Sequence, residues 1–167
     1  MIKITLLKGH PECIPKLSYI WCEVFGQKWR PEVTADRISE NLNRNLNEDF
    51  LPLTFIALNG DEAVGMCSLV QNDNIQPDFI YKHLSIEALA KIGWLSSLMI
   101  DSTHQKKGIG RLLINTIKKK AKALGLEKLY LFAFDPTIAG YYNLQGFRTI
   151  GTDEFKGYPV TVMETKL

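Results

Sequence analysis

The chain has 167 residues, a length that suits one hydrophobic core, so a single domain over 1–167 is expected. Apolar residues make up 46% and charged residues 23%, which excludes disorder, collagen-like repeats and supercharging. The longest apolar runs fall well short of the ~18 residues a membrane span needs, and Met1-Ile2-Lys3-Ile4-Thr5-Leu6 lacks the layout of a signal peptide, so a cytoplasmic protein with no membrane partner is expected. Cys13, Cys22 and Cys67 are odd in number and carry no C-x-x-C spacing, which predicts reduced, packed thiols rather than a disulfide framework or a metal site.

In chain order, Ile2 to Leu7 reads as an opening strand that turns at Gly9-His10-Pro11. Leu17, Ile20, Trp21, Val24 and Phe25 recur at helical spacing after Pro15, which predicts an amphipathic helix closed near Gly26. Thr34 with Ile38, Leu42 and Leu46 predicts a second helix. Leu53 to Leu58 and Glu62 to Gln71 read as a hairpin turning at Asn59-Gly60-Asp61, with Asn-Gly at its tip. Residues 72–93 read as a long loop with at most a helical turn, the kind of segment that often carries function. Trp94 to Ile100 is an apolar, buried strand followed by a basic, glycine-bearing turn from Gln105 to Gly110. Ile109, Leu113, Ile117, Ala121 and Leu124 then share one face of a helix stopped by Gly125. Lys128 to Phe134 reads as a strand, Asp135-Pro136 to Leu144 as a short helix ended by Gly146. Phe147 to Ile150 and Val160 to Leu167 read as closing strands around Gly157-Tyr158-Pro159. The order is mixed α/β without internal repeats.

Net charge is +2, but the segment from His104 to Lys128 holds eight basic residues against Glu127 alone and so carries +7, leaving −5 elsewhere. Such polarity suits nucleic acid, an anionic surface or a phosphate-bearing cofactor, and Lys118 to Lys122 equally read as a solvated helix face. The turn is more specific. The first N–H groups of a helix have no internal partners and sit at the positive end of its dipole, Gly108 and Gly110 keep side chains away from those amides, and Lys106, Lys107 and Arg111 add charge. Such a cradle suits pyrophosphate. Neither G-x-x-x-x-G-K-[ST] nor the third glycine of the dinucleotide fingerprint is present, so nucleotide hydrolysis and nicotinamide chemistry are not expected.

Gln105-Lys106-Lys107-Gly108-Ile109-Gly110 between a strand and a helix, with Tyr141-Tyr142-Asn143-Leu144-Gln145-Gly146-Phe147 downstream, resembles the Q/R-x-x-G-x-G/A and aromatic-Tyr-x-x-x-Gly-Phe elements of the GNAT superfamily of N-acetyltransferases. The resemblance covers about a third of the chain closely. It implies a GNAT-like mixed, mostly antiparallel central sheet of six to seven strands flanked by about four helices. It also implies acetyl-CoA as cofactor, with pantetheine along Leu98, Met99 and Ile100 and pyrophosphate on the amides of Gln105, Lys106, Lys107, Gly108, Ile109, Gly110 and Arg111.

Tyr142 matches the family's general acid; a phenol with an unperturbed pKa near ~10 can protonate a departing thiolate. The other reading of Tyr141 and Tyr142 is an aromatic pair packing a short helix. Asp135 stands where many relatives place an asparagine, and reads either as a cofactor contact or as a helix cap. Trp94 to Ile100 contains no carboxylate, so Asp73 is the candidate general base, ahead of His83 and Asp78. Trp29, Trp94 and Leu95 are expected to shape the acceptor pocket. The acidic remainder favours a cationic amine, and Cys67, mid-strand, is a poor acyl carrier. The predicted activity is acetyl transfer to a primary amine of a small molecule or peptide by direct attack in a ternary complex, by a monomer or homodimer that does not bind nucleic acid. The alternatives are a non-catalytic acyl-CoA binding module and nucleic-acid binding through the basic helix.

Overall fold

The computed structural model describes every residue from Met1 to Leu167. The elements in chain order are β1 (Ile2–Leu6), α1 (Ile14–Trp21), α2 (Gln27–Trp29), α3 (Ala35–Asn43), β2 (Leu53–Asn59), β3 (Glu62–Val70), α4 (Asp78–Tyr81), α5 (Ile86–Leu89), β4 (Ile92–Ile100), α6 (Ile109–Ala123), β5 (Lys128–Ala133), α7 (Ala139–Leu144), β6 (Arg148–Phe155) and β7 (Tyr158–Lys166). The seven strands run in the order β1-β2-β3-β4-β5-β7-β6. β4 and β5 pair in parallel, whereas β1–β2, β2–β3, β5–β7 and β6–β7 are antiparallel. This is the mixed, mostly antiparallel α/β fold expected. Only α1, α3 and α6 reach eight residues; the other helices are single turns or little more.

The chain divides into two compact units, Met1–Leu69 with Ser97–Ile117 and Val70–Ser96 with Lys118–Leu167. In the first, Leu7, Leu17, Ile20, Ile56, Met66 and Met99 form the centre of a buried apolar cluster. Thr34 caps α3, its hydroxyl accepting from Arg37 N–H at 3.2 Å. Gly26 does not close the first helix. It is buried with helical φ of −61°, so the chain passes through a π-helical turn at Cys22–Gly26 into α2 and stops at Arg30. The β2–β3 hairpin pairs Asn59 with Glu62, which puts Gly60 and Asp61 at the tip instead of Asn59 and Gly60. Only Gly60 of these has positive φ, as in a type II′ turn. At Gly65 a Cβ would lie 2.7 Å from the Met99 carbonyl oxygen, so glycine alone permits that approach to β4.

In the second unit, Ile92 and Trp94 of β4, Tyr130 of β5 and Val160 and Val162 of β7 share one buried face with Ile75 and Ile80. The β4–β5 ladder consists of three pairs, Ile92–Lys128, Gly93–Leu129 and Trp94–Tyr130. The closing strands are longer than the sequence predicts. Lys156 and Gly157, with φ of 49° and 83°, make a two-residue turn, and Tyr158 and Pro159 already belong to β7. Pro159 is tolerated because β5 begins to pair with β7 only at Thr161. Gly125, with φ of 83°, ends α6, and Leu126 N–H returns to the Ala121 carbonyl at 3.0 Å, as in a Schellman motif. No helix is long and apolar enough to cross a membrane.

Candidate active site

The basic turn is built from the end of β4 onward. Asp101 N–H donates to the Val64 carbonyl at 2.8 Å, and Asp101 Oδ1 accepts from Thr103 N–H at 3.1 Å, starting the turn at Ser102–His104. That bond is the main cause holding the Asp101 carboxyl below its usual range. Gln105 Nε2 donates to the Ile100 carbonyl at 3.1 Å, and Lys107 Nζ to the Thr103 carbonyl at 3.1 Å, so the turn is folded back on itself.

Lys106 and Gly108 have φ of 60° and 80°, and this alternation of backbone hand curves successive N–H groups into a concave nest. The first backbone bond of α6 runs from Leu112 N–H to the Gly108 carbonyl at 3.2 Å. The N–H groups of Ile109, Gly110 and Arg111 therefore have no partner inside the helix. Lys106, Lys107 and Arg111 are exposed around them. The position a Cβ would take on Gly108 is open, with nothing within 4 Å, so its glycine answers to the backbone conformation rather than to crowding. A backbone concavity of donors with three cations at the start of a 15-residue helix fits a pyrophosphate.

β4 itself breaks its strand geometry at Ser97, whose φ is 53°. Of the three residues expected along pantetheine, Leu98 and Ile100 are half-buried, while the Met99 side chain belongs to the core and leaves only its backbone for a ligand.

Asp73, the predicted base, lies just past β3 and is half-buried. It accepts from Asn74 N–H at 2.7 Å, and its carboxyl also bonds the Ser96 side chain. Loss of hydration raises its pKa, against the lowering effect of these two bonds. Nearby, Trp94 Nε1 donates to Tyr81 Oη at 2.9 Å. Burial raises the Tyr81 hydroxyl, and the charge of Asp73 adds to that rise. Asp73 is thus hydrogen-bonded to Ser96 and coupled by charge to Tyr81, which in turn holds the Trp94 indole. The sequence reading missed Ser96 and Tyr81; the available signal was polar residues inside or beside apolar runs. Trp94 and Leu95 are 0% and 3% exposed and so do not line a pocket as predicted. Trp29 is half-buried under the Lys28 ammonium, 4.7 Å from its ring centroid. His83 and Asp78 are both exposed, and Asp78 is paired with Lys82 at 2.8 Å.

Tyr142, in α7, is 7% exposed; its ring lies edge-to-face against Tyr141 at 5.4 Å and Phe147 at 5.9 Å. Phe147 N–H and Gln145 N–H both donate to the Tyr142 carbonyl, which fixes the turn through Gly146. Lys118, grouped by sequence with the solvated face of the basic helix, is instead half-buried. Its ammonium donates to the Gln145 carbonyl and sits 5.0 Å from the Phe147 ring centroid, and burial lowers its pKa. Asp135 Oδ1 accepts from Thr137 N–H at 2.9 Å and Thr137 Oγ1 at 2.7 Å, so this oxygen caps the turn after β5.

The model of the acetyltransferase (GNAT) family matches residues 15–147. No curated protein matches the sequence. Among solved structures, aminoglycoside 6'-acetyltransferase type Ii is 20% identical with a TM-score of 0.71, over 98% of this chain and 96% of that one. A GNAT-family acetyltransferase from Staphylococcus aureus Mu50 is 17% identical with a TM-score of 0.72, over 99% of each chain. An aminoglycoside 6'-N-acetyltransferase complexed with coenzyme A is 17% identical with a TM-score of 0.70, over 99% of this chain and 96% of that one. At these identities the likeness is one of fold.

Proposed function

The chain belongs to the acetyltransferase (GNAT) family, and from that premise we propose that it is a single cytoplasmic acetyltransferase domain over 1–167. The domain moves an acetyl group from acetyl-CoA to a primary amine of a small molecule or peptide by direct attack in a ternary complex. The family model crosses both units, which supports treating them as one functional domain. The observation that carries the reading is the concave run of amides and cations from Gln105 to Arg111 at the start of α6.

Bound acetyl-CoA supplies an acetyl thioester already activated toward an amine. The chain's own groups then have separate tasks. Amides of the Gln105–Arg111 turn hold the phosphates, and backbone from Leu98 to Ile100 aligns the pantetheine arm, with an N–H available to polarise the acyl oxygen. Asp73 takes the proton of the attacking amine; its raised pKa makes it a stronger base than an ordinary carboxylate. The Tyr142 hydroxyl returns a proton to the departing sulfur. Commitment of Asp135 Oδ1 to Thr137 favours its role as a cap over a cofactor contact. Cys67 is fully buried and its thiol pKa pushed up, which supports direct transfer over a covalent acyl-enzyme.

Calorimetric titration with acetyl-CoA at moderate salt, with CoA and ATP as competitors, tests the reading. Saturable binding at roughly micromolar affinity, about −8 kcal/mol, that ATP cannot match is expected. Absence of saturable heat refutes it.

A further inference from the structure

The turn that follows α7 is held by three of its carbonyls. The Tyr142 carbonyl accepts from Gln145 N–H at 2.9 Å and Phe147 N–H at 3.1 Å. Lys118 Nζ, from α6, donates to the Gln145 carbonyl, and Thr165 Oγ1, from β7, donates to the Gly146 carbonyl at 2.9 Å. A Cβ on Gly146 would lie 3.2 Å from Lys118 Nζ and 3.7 Å from Thr165 Oγ1, and the φ there is 89°, so glycine both takes this backbone and admits the two donors. The Tyr142 ring packs on Phe147, which is 3% exposed, and the Lys118 ammonium lies 5.0 Å from the centroid of that same Phe147 ring. Lys118 therefore reaches Tyr142 by two routes, through main-chain hydrogen bonds and through ring packing.

The charge of Lys118 is costly where it stands. Lys119 and Lys122 of the same helix are exposed, whereas Lys118 is half-buried, and burial lowers its pKa with no carboxylate opposing the shift. A methionine would cover Phe147 without that cost. What the ammonium adds is a charge-assisted, directional bond to a main-chain carbonyl, about twice as strong as a neutral one. Such a bond fixes position more than it adds apolar cover.

We propose that Lys118 and Thr165 are positioning residues for Tyr142, holding the Gln145 and Gly146 carbonyls so that the Tyr142 ring and hydroxyl keep one place. This rests on the reading of Tyr142 as proton donor to the departing sulfur and deepens it.

The test begins with NMR of the protein carrying 13C-labelled tyrosine, in which the Tyr142 signal is the one of six that Tyr142→Phe removes. Lys118→Met, which keeps an apolar stem and drops the ammonium, is expected to shift that signal and speed its ring flipping, while the signals of Tyr19 and Tyr158 hold. CoA release from acetyl-CoA is then followed with kanamycin, spermidine and glycylglycine. Lys118→Met is expected to lower kcat about tenfold and to cost nothing further when the Tyr142 hydroxyl is already absent, in Lys118→Met/Tyr142→Phe. A merely structural lysine would lower kcat by the same factor in both backgrounds. Thr165→Val, nearly isosteric, is read in the same way with a smaller effect and keeps the inference falsifiable should Lys118→Met fail to fold; cooperative urea unfolding certifies each variant. The inference is overturned if folded variants leave the Tyr142 signal at its parental position and flipping rate, if they keep parental kcat, or if their losses are equal with and without the hydroxyl. Parental kcat in Tyr142→Phe refutes instead the reading of Tyr142 as proton donor, and a parent that releases no CoA refutes the transfer reading, with the NMR signal still deciding whether Lys118 holds Tyr142.

Discussion

Gly108→Ala isolates the backbone contribution of the cradle. At φ of 80°, an alanine Cβ meets nothing within 4 Å, so the substitution adds no clash and its whole effect comes from the left-handed backbone. An L-residue held there costs about 1–2 kcal/mol. Where that cost is felt depends on the free protein. If the turn keeps its conformation without ligand, unfolding free energy falls, less the ~0.4–1 kcal/mol by which alanine lowers the entropy of the unfolded chain. If the turn relaxes to negative φ, stability is preserved and the cost falls on binding, because the amides must be returned to the nest before they hold phosphates. In that limit acetyl-CoA Kd weakens about five- to thirtyfold, from 1.4 kcal/mol per factor of ten. Urea unfolding of the free protein, together with calorimetric titration of acetyl-CoA, measures both parts. Gly108→Asn is the control, since asparagine tolerates this conformation better and is expected to recover much of the loss. Alanine with parental stability and parental affinity together would refute the argument that the positive φ shapes the cradle.

Tyr142→Phe keeps the ring packing against Tyr141 and Phe147 and removes the hydroxyl, so kcat is expected to fall about 10²- to 10⁴-fold with acetyl-CoA Kd unchanged; a non-catalytic acyl-CoA binding module would show no such loss. The raised pKa of Asp73 places the acidic limb of the kcat/KM profile above the ordinary carboxylate range, rising as Asp73 loses its proton, and Asp73→Asn is expected to abolish that limb. The stability effect has the opposite sign: the folded state holds this proton more tightly, so its contribution is complete below the ordinary carboxylate range and is lost as pH rises through the raised pKa. Urea midpoints of Asp73→Asn are accordingly expected to decline less over that interval. Gly65→Ala drives a Cβ to 2.7 Å from the Met99 carbonyl oxygen, and a loss of about 1–3 kcal/mol in unfolding free energy is expected.

Local chemistry is what the sequence by itself determined. The second helix signalled at Thr34, the Pro15 helix start, the helix stop at Gly125 and the glycine-lysine turn before α6 each depend on a few adjacent residues, and each is where its pattern puts it, whereas Gly60 lies in the hairpin turn one place earlier than the Asn-Gly signal puts it. Gly26 and Gly157-Tyr158-Pro159 misled for a related reason. A glycine allows positive φ without requiring it, and a proline is excluded from a strand only where a neighbour needs its N–H, which for Pro159 is settled by where β5 begins to pair.

Tertiary structure alone decided the environments of charged and polar side chains. Asp73 has its raised carboxyl because folding strips it of water, an effect that its bond to Ser96, 23 positions away, only partly offsets, and Lys118 left the solvated face because the turn at Gln145 offers it a carbonyl. Trp94 is core because Tyr81 supplies a partner for its indole N–H. Propensity and spacing are properties of neighbours along the chain. Hydration, pairing and pKa depend on which distant segments fold against a residue, and that information exists only once the chain has closed.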